Sequence, residues 1–185
     1  MMPTFRTKRL FLRPIEIKDA KSYEEHFVDY EVVQYLGDHV PWPYPKGRVK
    51  EFIKGVILPA QGKTLFYWGI FLADEPESMI GGIEIRKIAN PDNRGFWLGR
   101  KYWGKGYMTE ALIPVMDYAF EELGFEKMVF SNASKNPASS RIKAKTGARL
   151  IQKAPFSFVN PAFTEKEVWE LTKADWLEFK KSLTK

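Results

Sequence analysis

The 185-residue sequence predicts a single α/β (α+β) domain built on a mixed sheet, and two observations carry that prediction. In the first half, short strand-like runs alternate with turn signals, which is typical of an antiparallel meander. In the second half, strand-like and helix-like segments alternate, which is typical of helices packed against a sheet. No internal repeat, low-complexity tract or linker divides the chain, so we expect one domain over residues 1–185.

The first half reads as a meander because its strand-like runs follow one another across short turns. Residues 7–14 alternate apolar and polar side chains, which places Leu10 and Leu12 on one face of a strand. An acidic turn over residues 74–77 favours a hairpin between two longer apolar runs. The predicted elements up to residue 100 are a strand (7–14), a helix of broken period (17–35), a Pro- and aromatic-rich loop (37–47), a short amphipathic helix (48–58), strands (64–73 and 79–88), a turn (90–93) and a strand (94–100).

The second half begins with a long helix. Residues 108–123 carry apolar side chains at helical spacing, and Gly124 follows as a C-terminal stop. The remaining predicted elements are a strand (127–133), a helix (137–146) closed by Gly147, strands (149–153 and 167–172) and a short basic helix at the end of the chain.

The composition excludes several kinds of site. The chain contains no cysteine, which excludes disulfides, cysteine-ligated metals and thiol nucleophiles. His26 and His39 are the only histidines and fall in different predicted elements, which argues against a metal site or a Ser-His triad. The N-terminus lacks the apolar run of a signal peptide, and no segment approaches the roughly 18 apolar residues of a membrane span. We therefore expect a cytoplasmic protein with no membrane partner.

Positive charge is concentrated in the last third of the chain. Residues 127–185 contain twelve Lys or Arg residues against five Asp or Glu residues, in a chain of formal net charge +6. Such a bias favours an anionic partner such as a nucleotide cofactor, ribosomal RNA or an acidic protein. A solubilising surface explains it equally well.

The segment over residues 94–112 has the features of an anion site. A predicted strand leads into Trp103-Gly104-Lys105-Gly106-Tyr107, and a helix begins directly afterwards. The two glycines permit a tight turn with uncovered N–H groups, and the helix start adds further N–H groups and the positive end of its dipole. A plain strand-to-helix turn would show the same pattern, and the P-loop and Rossmann spacings are absent. The polar side chains around the turn are Arg100, Lys101, Lys105 and Thr109.

This segment resembles motif A of the GNAT superfamily of N-acetyltransferases, whose signature is Gln/Arg-x-x-Gly-x-Gly/Ala. It is most similar to the RimJ/RimL type, the ribosomal-protein N-terminal acetyltransferases, through Trp97-Leu98-Gly99 and the run from Tyr102 to Ala111. Segments within residues 7–14, 136–147 and 168–176 match other parts of that family in order. The resemblance implies a GNAT fold, with a mixed, mostly antiparallel central sheet of about seven strands, flanked by helices and split at the cofactor cleft.

The resemblance also implies acetyl-CoA as the cosubstrate, with no metal. Backbone N–H groups of the turn and helix start would hold the pyrophosphate, the preceding strand would pair with the pantetheine arm, and Asn136 would bond the arm nearer the sulfur. The residues so implied are Trp97, Leu98, Gly99, Arg100, Lys105, Gly106, Tyr107, Met108, Thr109 and Asn136. Trp103 and Met108 depart from the signature. We expect the backbone contacts to persist, with Met108 reducing the room beside the phosphates.

Acetyl transfer needs a neutral amine, a polarised thioester carbonyl and a protonated leaving thiolate. The candidate base is Glu84, because a carboxylate between two isoleucines in a strand faces away from both, either into the cleft or into solvent. Related proteins often place a glutamate before the glycine of the next strand, where this chain has Arg94. The carbonyl would be polarised by backbone N–H groups around Trp97 and Leu98.

The leaving group is assigned with two alternatives open. Much of the superfamily uses a tyrosine seven residues after the asparagine, where this chain has Lys143. Ser139 or Ser140 is the replacement candidate for protonating the thiolate, directly or through water, although serine also caps helices at such positions. On the acceptor side, Trp42 and Tyr44 would either select the acceptor or pack the loop down.

The sequence thus predicts an acetyl-CoA-dependent N-acetyltransferase that acts on a primary amine through a ternary complex. The leading acceptor is a protein N-terminal α-amine, with small amines as the second choice, and ribosome association is the expected partner interaction. The alternative is a non-catalytic CoA-binding or ribosome- or RNA-associated domain, which the basic C-terminal third would serve. Both a monomer and a homodimer are compatible with the sequence.

Overall fold

The computed structural model describes residues 2–88 and 92–183, so part of the predicted turn at 90–93 lies outside the described residues. The strands are β1 (Phe5–Arg6), β2 (Leu10–Pro14), β3 (Leu65–Leu72), β4 (Glu75–Arg86), β5 (Arg94–Leu98), β6 (Lys127–Ala133), β7 (Arg149–Pro155) and β8 (Glu165–Thr172). The helices are α1 (Ala20–Phe27), α2 (Tyr30–Val33), α3 (Arg48–Phe52), α4 (Leu58–Ala60), α5 (Tyr107–Glu121), α6 (Pro137–Lys145) and α7 (Lys173–Ser182).

The strands form two antiparallel sheets that meet at one point. The first has the order β1-β2-β3-β4-β5 and the second the order β6-β8-β7. They meet where the Asn93 N–H donates to the Val129 carbonyl at 2.7 Å and the Val129 N–H donates to Asn93 Oδ1 at 2.9 Å. No ladder between β5 and β6 continues from there in the described part of the chain. The predicted α/β fold with a mostly antiparallel, split sheet is confirmed, with an eighth strand because residues 5–6 form β1.

The central strand β3 separates two hydrophobic cores. All but its last residue are buried, so both of its faces are covered. Its even-numbered side chains, such as Trp68, pack with the apolar face of α5, while its odd-numbered ones, such as Tyr67, pack with α1 and α3. Helix α7 docks against α5 through Asp117, which accepts from Trp176 Nε1 and from Lys180 Nζ, each at 2.8 Å. No helix in residues 2–88 or 92–183 has the length and apolar character to cross a membrane.

The predicted helix over 17–35 is wrong as a single element. It is a 3-10 turn (Ile17–Asp19) followed by α1 and α2. The break lies at Asp29, whose backbone is extended and whose carboxylate accepts from the Glu31 N–H at 2.9 Å. Because aspartate is a favoured N-cap, this contact starts α2 in a new direction. The predicted helix over 48–58 also has a π-helical segment, Ile53–Ile57, in its middle.

The predicted hairpin turn is displaced toward the N-terminus. The turn lies at residues 73–74, and β4 already begins at Glu75, because the ladder with β3 continues to the Leu72–Glu75 pair across two irregularities. Strands β7 and β8 are longer than predicted since their ladder runs on to the Pro155–Glu165 pair. Strand β6 has the predicted bounds.

Candidate functional site

The turn before α5 has the geometry of an anion cradle. Gly104 and Gly106 have φ angles of 73° and 78°, a region that side chains other than glycine's rarely adopt. The first backbone bond of the helix runs from the Glu110 N–H to the Gly106 carbonyl at 3.1 Å. The N–H groups of Tyr107, Met108 and Thr109 therefore precede the helical ladder and point out of the helix start. These donors fit a pyrophosphate group.

The opening strand holds this turn in place. Arg9 donates from a terminal guanidinium nitrogen to the Lys105 carbonyl at 2.9 Å, and its guanidinium lies 4.6 Å from the centre of the Tyr107 ring. Thr7 Oγ1 donates to Glu110 Oε1 at 2.6 Å. Burial opposes the ionisation of Glu110, but these hydrogen bonds from Thr7 and Arg9 hold its pKa below the usual value. The matched segment over 7–14 is therefore in contact with the segment over 94–112.

The side chains around the turn divide into a core group and an exposed rim. Met108 is 6% exposed and its side chain lies in the core, so the expectation that it reduces the room beside the phosphates is wrong. Trp103 donates from Nε1 to the Leu98 carbonyl at 2.6 Å and thereby ties the turn to the end of β5. The exposed or half-buried rim consists of Arg100, Lys101, Lys105 and Thr109.

The strand that leads to the turn ends earlier than predicted. Strand β5 stops at Leu98, and Arg100 lies in a 3-10 turn (Arg100–Tyr102) rather than in the strand. Because the Gly99 N–H bonds to the Ile80 carbonyl of β4 at 2.9 Å, the register turns the Leu98 N–H the other way, toward the gap between β5 and β6. The same register turns the Trp97 backbone toward β4. Leu98 is thus the better placed of the two to polarise a carbonyl in the gap.

Trp97 places its ring on the opposite side, among aromatic residues. Its ring centre lies 4.7 Å from that of Tyr23 and 5.1 Å from that of Phe27, and its Nε1 donates to the Tyr67 hydroxyl at 2.8 Å. Burial, followed by the nearby charge of Glu84, raises the pKa of Tyr67 well above its usual value. Tyr67 therefore stays protonated and takes no part as a base near neutral pH.

Glu84 lies on this same face of the sheet, between Tyr67 on β3 and Gly95 on β5. Its Oε1 accepts from Arg86 Nη2 at 2.5 Å and from Arg86 Nε at 3.2 Å, and its side chain is 21% exposed. A Cβ on Gly95 would come within 2.6 Å of this ion pair. Glu84 is therefore a half-buried, paired carboxylate that borders the aromatic cluster.

The loop over 37–47 lies beside this cluster. The Tyr44 ring packs 5.6 Å from that of Phe27, and the loop is fixed to α1 because Glu24 accepts from the Gly47 N–H at 2.7 Å. Trp42 lies farther out, 5.4 Å from Tyr30, and is 41% exposed. Tyr44 thus packs against the aromatic cluster that Glu84 borders, whereas Trp42 lies farther out and is exposed.

A second loop packs against the segment that follows α2. Residues 156–164 between β7 and β8 contact residues 36–37 through the Gly37–Phe158 bridge, and the Val159 N–H donates to the Leu36 carbonyl at 2.8 Å. Tyr35 and Phe163 stack there with their ring centres 5.5 Å apart. An open cavity of about 320 Å³ lies nearby; its lining includes Asp92, Ser131, Phe156 and Lys166.

The two candidate serines of α6 have different partners. Asn136 caps the helix, since its Oδ1 accepts from the Ser139 N–H at 3.1 Å. Ser140 Oγ donates to Glu167 Oε2 at 2.6 Å and accepts from Asn132 at 3.0 Å. Ser139 is buried, and its Oγ accepts from Lys143 Nζ at 2.6 Å. Ser140 is therefore committed to a carboxylate, while Ser139 retains a hydroxyl proton to donate.

Two buried cations are the part of the site that sequence reasoning missed. Lys143 is 2% exposed and Arg94 is 3% exposed. Burial lowers the pKa of Arg94 to about 9, and burial together with the charge of Arg94 lowers the pKa of Lys143 well below its usual value. The sequence did contain a signal for the burial of Arg94, because alternation along β5 places Arg94 on the same face as the core residues Phe96 and Leu98.

No cluster of three or more His, Cys, Asp or Glu side chains suited to a metal occurs in the described part of the chain. His26 is buried against the Tyr102 ring, at 5.4 Å between ring centres. Burial, followed by the charge of Lys101, lowers its pKa.

Comparison with known proteins agrees with this geometry. The family model described as "Acetyltransferase (GNAT) domain" matches residues 9–149. The chain is 27% identical over 145 residues to "Uncharacterized N-acetyltransferase p20" of Bacillus licheniformis, which covers 76% of this chain and 79% of that protein. It is 24% identical over 184 residues to the [ribosomal protein uS5]-alanine N-acetyltransferase of Escherichia coli, which covers 92% and 91%.

A solved structure shows the same fold. The RimL ribosomal L7/L12 α-N-protein acetyltransferase, in complex with coenzyme A, superposes with a TM-score of 0.76 at 16% identity, over 92% of this chain and 98% of that one. Because the family model spans most of the chain, the chain belongs to the GNAT family and is an acetyl-CoA-dependent N-acetyltransferase.

Proposed function

We propose that this acetyltransferase moves the acetyl group of acetyl-CoA directly to a primary amine, and that its leading acceptor is the α-amine of a protein N-terminus, with small amines second. The observation that carries the choice of acceptor is the pairing of Glu84 with Arg86 at 2.5 Å. The proposal for the donor half rests on the cradle before α5.

In this proposal acetyl-CoA, the acetyl donor, lies in the gap between β5 and β6. The N–H groups at the start of α5 would hold the pyrophosphate, and the Arg9 contact to the Lys105 carbonyl keeps that turn in shape. The Leu98 N–H would polarise the thioester carbonyl, because a fixed donor in a water-poor gap stabilises developing negative charge. Asn136 uses Oδ1 to cap α6, so its amide nitrogen is the group left to bond the pantetheine arm.

The residues proposed to receive the amine favour an acceptor that is easy to deprotonate. An α-amine with a pKa of about 8 needs roughly 1 kcal/mol to become neutral at pH 7, whereas a lysine at about 10.4 needs nearly 5 kcal/mol. Glu84 is the candidate base, and one of its oxygens is already held by a guanidinium. Such a carboxylate can accept a proton through water from an α-amine and is poorly suited to a lysine ammonium. The E. coli relative named as an alanine N-acetyltransferase of uS5 supports the same choice.

Ribosome association through the basic C-terminal third has less support than the sequence suggested. Within the described residues, six of its cations form ion pairs, and Lys143 is buried. The paired residues are Lys127, Arg149, Lys153, Lys173, Lys180 and Lys181. The charge surplus is thus largely compensated locally, which also weakens the alternative of a non-catalytic RNA-associated domain.

The test is an acceptor screen that measures thiol release from acetyl-CoA. Peptides with a free N-terminus and no lysine, peptides with a blocked N-terminus and one lysine, and small amines would be compared. We expect the free α-amine peptides to give the highest kcat/KM. A preference for the blocked lysine peptides would contradict the proposed acceptor. A salt-sensitive gel shift with ribosomal RNA in the absence of turnover would favour the alternative.

A further inference from the structure

Two cations lie together in the core at the gap between β5 and β6. The Arg94 guanidinium carbon is 3.7 Å from the centre of the Phe130 ring on β6. Lys143 Nζ is 5.2 Å from the centre of the Phe96 ring on β5 and 5.8 Å from that of Phe130. In residues 2–88 and 92–183 neither cation forms an ion pair with a carboxylate, and Arg94 Nε and Nη2 have no hydrogen-bond partner.

Such an arrangement is costly for the fold. An unpaired buried charge loses its hydration without an opposite charge to compensate, which destabilises the folded state. Lys143 has one hydrogen-bond partner, Ser139 Oγ at 2.6 Å. The two cations lie between β5 and β6, where the proposed function places acetyl-CoA, so this cost is consistent with a role in the reaction.

The hydroxyl of Ser139 is oriented by this contact. A serine hydroxyl carries one proton and two lone pairs. Because the Ser139 Oγ accepts from Lys143 Nζ, the hydroxyl proton of Ser139 points in another direction. Among the described residues this proton has no hydrogen-bond acceptor. Ser139 lies in the first turn of α6, three residues after its N-cap Asn136, and its partner Lys143 lies beside rings of β5 and β6.

We propose that Ser139 and Lys143 form a proton relay that protonates the sulfur of coenzyme A as the acetyl group leaves, with Arg94 as a second positive charge beside the developing thiolate. This inference rests on the proposed function, which places the thioester in the gap. In this relay Ser139 would be the catalytic residue, because its hydroxyl would touch the sulfur, and Lys143 would be a positioning residue that acts through Ser139.

The step balances without any further reactant. The carbon–sulfur bond breaks and its electron pair stays on sulfur, while the amine nitrogen forms the new bond to the acetyl carbon. The sulfur takes the Ser139 hydroxyl proton, and Oγ takes a proton from Lys143 Nζ. The proton lost by the amine leaves through Glu84 to solvent, and Lys143 regains one from solvent.

The surroundings of Lys143 suit this role. Burial and the charge of Arg94 lower its pKa well below the usual lysine value, while Asp92 and Glu167 oppose that shift. An ammonium with a lowered pKa gives up its proton more readily, which is what a general acid requires. Ser140 cannot substitute, because its hydroxyl is bonded to Glu167.

The test uses Ser139→Ala, Lys143→Met, the double variant and the control Lys145→Met, which changes an exposed lysine of the same helix. We expect kcat to fall roughly 10- to 100-fold in each single variant, at the lower end of general acid–base catalysis. Little further loss is expected in the double variant, because the two residues act as one unit. The fall of kcat at high pH, where Lys143 loses its proton, should disappear in Lys143→Met.

A second measurement needs no acceptor and separates this inference from the proposed function. The thiol of bound coenzyme A is titrated by its thiolate absorbance. We expect it to ionise at lower pH than free coenzyme A in the wild type and in Lys145→Met, and to move back toward the free value in Lys143→Met. Wild-type values of kcat in both single variants, or a thiol that titrates alike in all proteins, would overturn the relay. An absence of turnover with every amine would overturn the proposed function, and the thiol titration would still decide the relay.

Discussion

Arg9 and Glu110 join the opening strand to the helix of the phosphate turn, with Arg9 Nε donating to Glu110 Oε2 at 2.7 Å. The Arg9 N–H also donates to Glu110 Oε1 at 2.8 Å, so the carboxylate accepts from both the backbone and the side chain of one residue. Since Arg9 holds the Lys105 carbonyl as well, the pair fixes the turn from outside. The Arg9–Glu110 pair therefore holds the turn in its observed conformation.

Loosening this pair should weaken acetyl-CoA binding. In Arg9→Ala or Glu110→Gln we expect the KM for acetyl-CoA to rise roughly fivefold, about 1 kcal/mol, because Arg9 is 43% exposed and solvent screens part of the interaction. The KM for the amine should stay within twofold. Steady-state kinetics with each substrate varied in turn measure both, and the neighbouring exposed Lys8→Ala serves as the control. Equal rises in both KM values would point to general destabilisation instead.

The geometry of the turn before α5 and of the start of α6 could be predicted from sequence because it depends on local chain geometry. Glycines 104 and 106 fix the turn, and Asn136 caps α6, through contacts within a few residues. The Arg9–Glu110 contact and the Arg94–Lys143 neighbourhood could not be predicted, since each joins residues far apart in the chain. Their charged side chains also favour surface positions in any general pattern.

The left-handed backbone at Gly106 gives a second prediction. At φ 78° a Cβ is strained, and it would also stand 3.5 Å from the Arg9 guanidinium. Gly106→Ala should lower the free energy of unfolding by about 1 kcal/mol and raise the KM for acetyl-CoA.

The matched control for Gly106→Ala is Gly55→Ala. Gly55 is helical and has no atom within 4 Å of an added Cβ. Because alanine is favoured in helices, this change should be neutral or stabilising by up to about 1 kcal/mol. Urea denaturation and steady-state kinetics check both variants. If Gly106→Ala behaved like the control, the left-handed backbone at the turn would matter neither for stability nor for acetyl-CoA binding.

The proposed base gives a third prediction. Glu84→Gln should lower kcat/KM by roughly 100-fold for α-amine peptides if the carboxylate accepts the amine proton through water. The loss should shrink for acceptor amines of lower pKa, because these are already neutral at pH 7. Glu75→Gln, at the exposed start of the same strand, is the control.

The dependence on amine pKa separates a base from a structural ion pair. If Glu84 only anchored Arg86, the loss in Glu84→Gln would be the same for every acceptor, and it would be matched by Arg86→Met. A series of small amines of graded pKa, assayed by thiol release at fixed pH, measures this directly.

The buried cations give the last prediction, which concerns stability. The unfolded state holds a proton on Lys143 up to the ordinary lysine value near 10.5, whereas the folded state releases it at lower pH. Between those two values the unfolded state binds more protons, so the contribution of Lys143 to stability rises with pH, by at most about 1.4 kcal/mol per pH unit. Lys143→Met removes the buried charge and this dependence. We therefore expect the variant to be more stable than the wild type near pH 7, with the difference narrowing as the pH approaches 10.

Arg94→Met should behave differently, because the pKa of Arg94 is lowered only to about 9. Its stability difference from the wild type should stay constant up to about that pH and narrow above it. The titration of Tyr23 and Tyr67 is common to all three proteins and cancels in the differences. Urea midpoints measured from pH 6.5 to pH 10 test both slopes. A constant difference for Lys143→Met over that range would mean that Lys143 keeps its proton in the folded protein, and it could not then act as the acid of the relay.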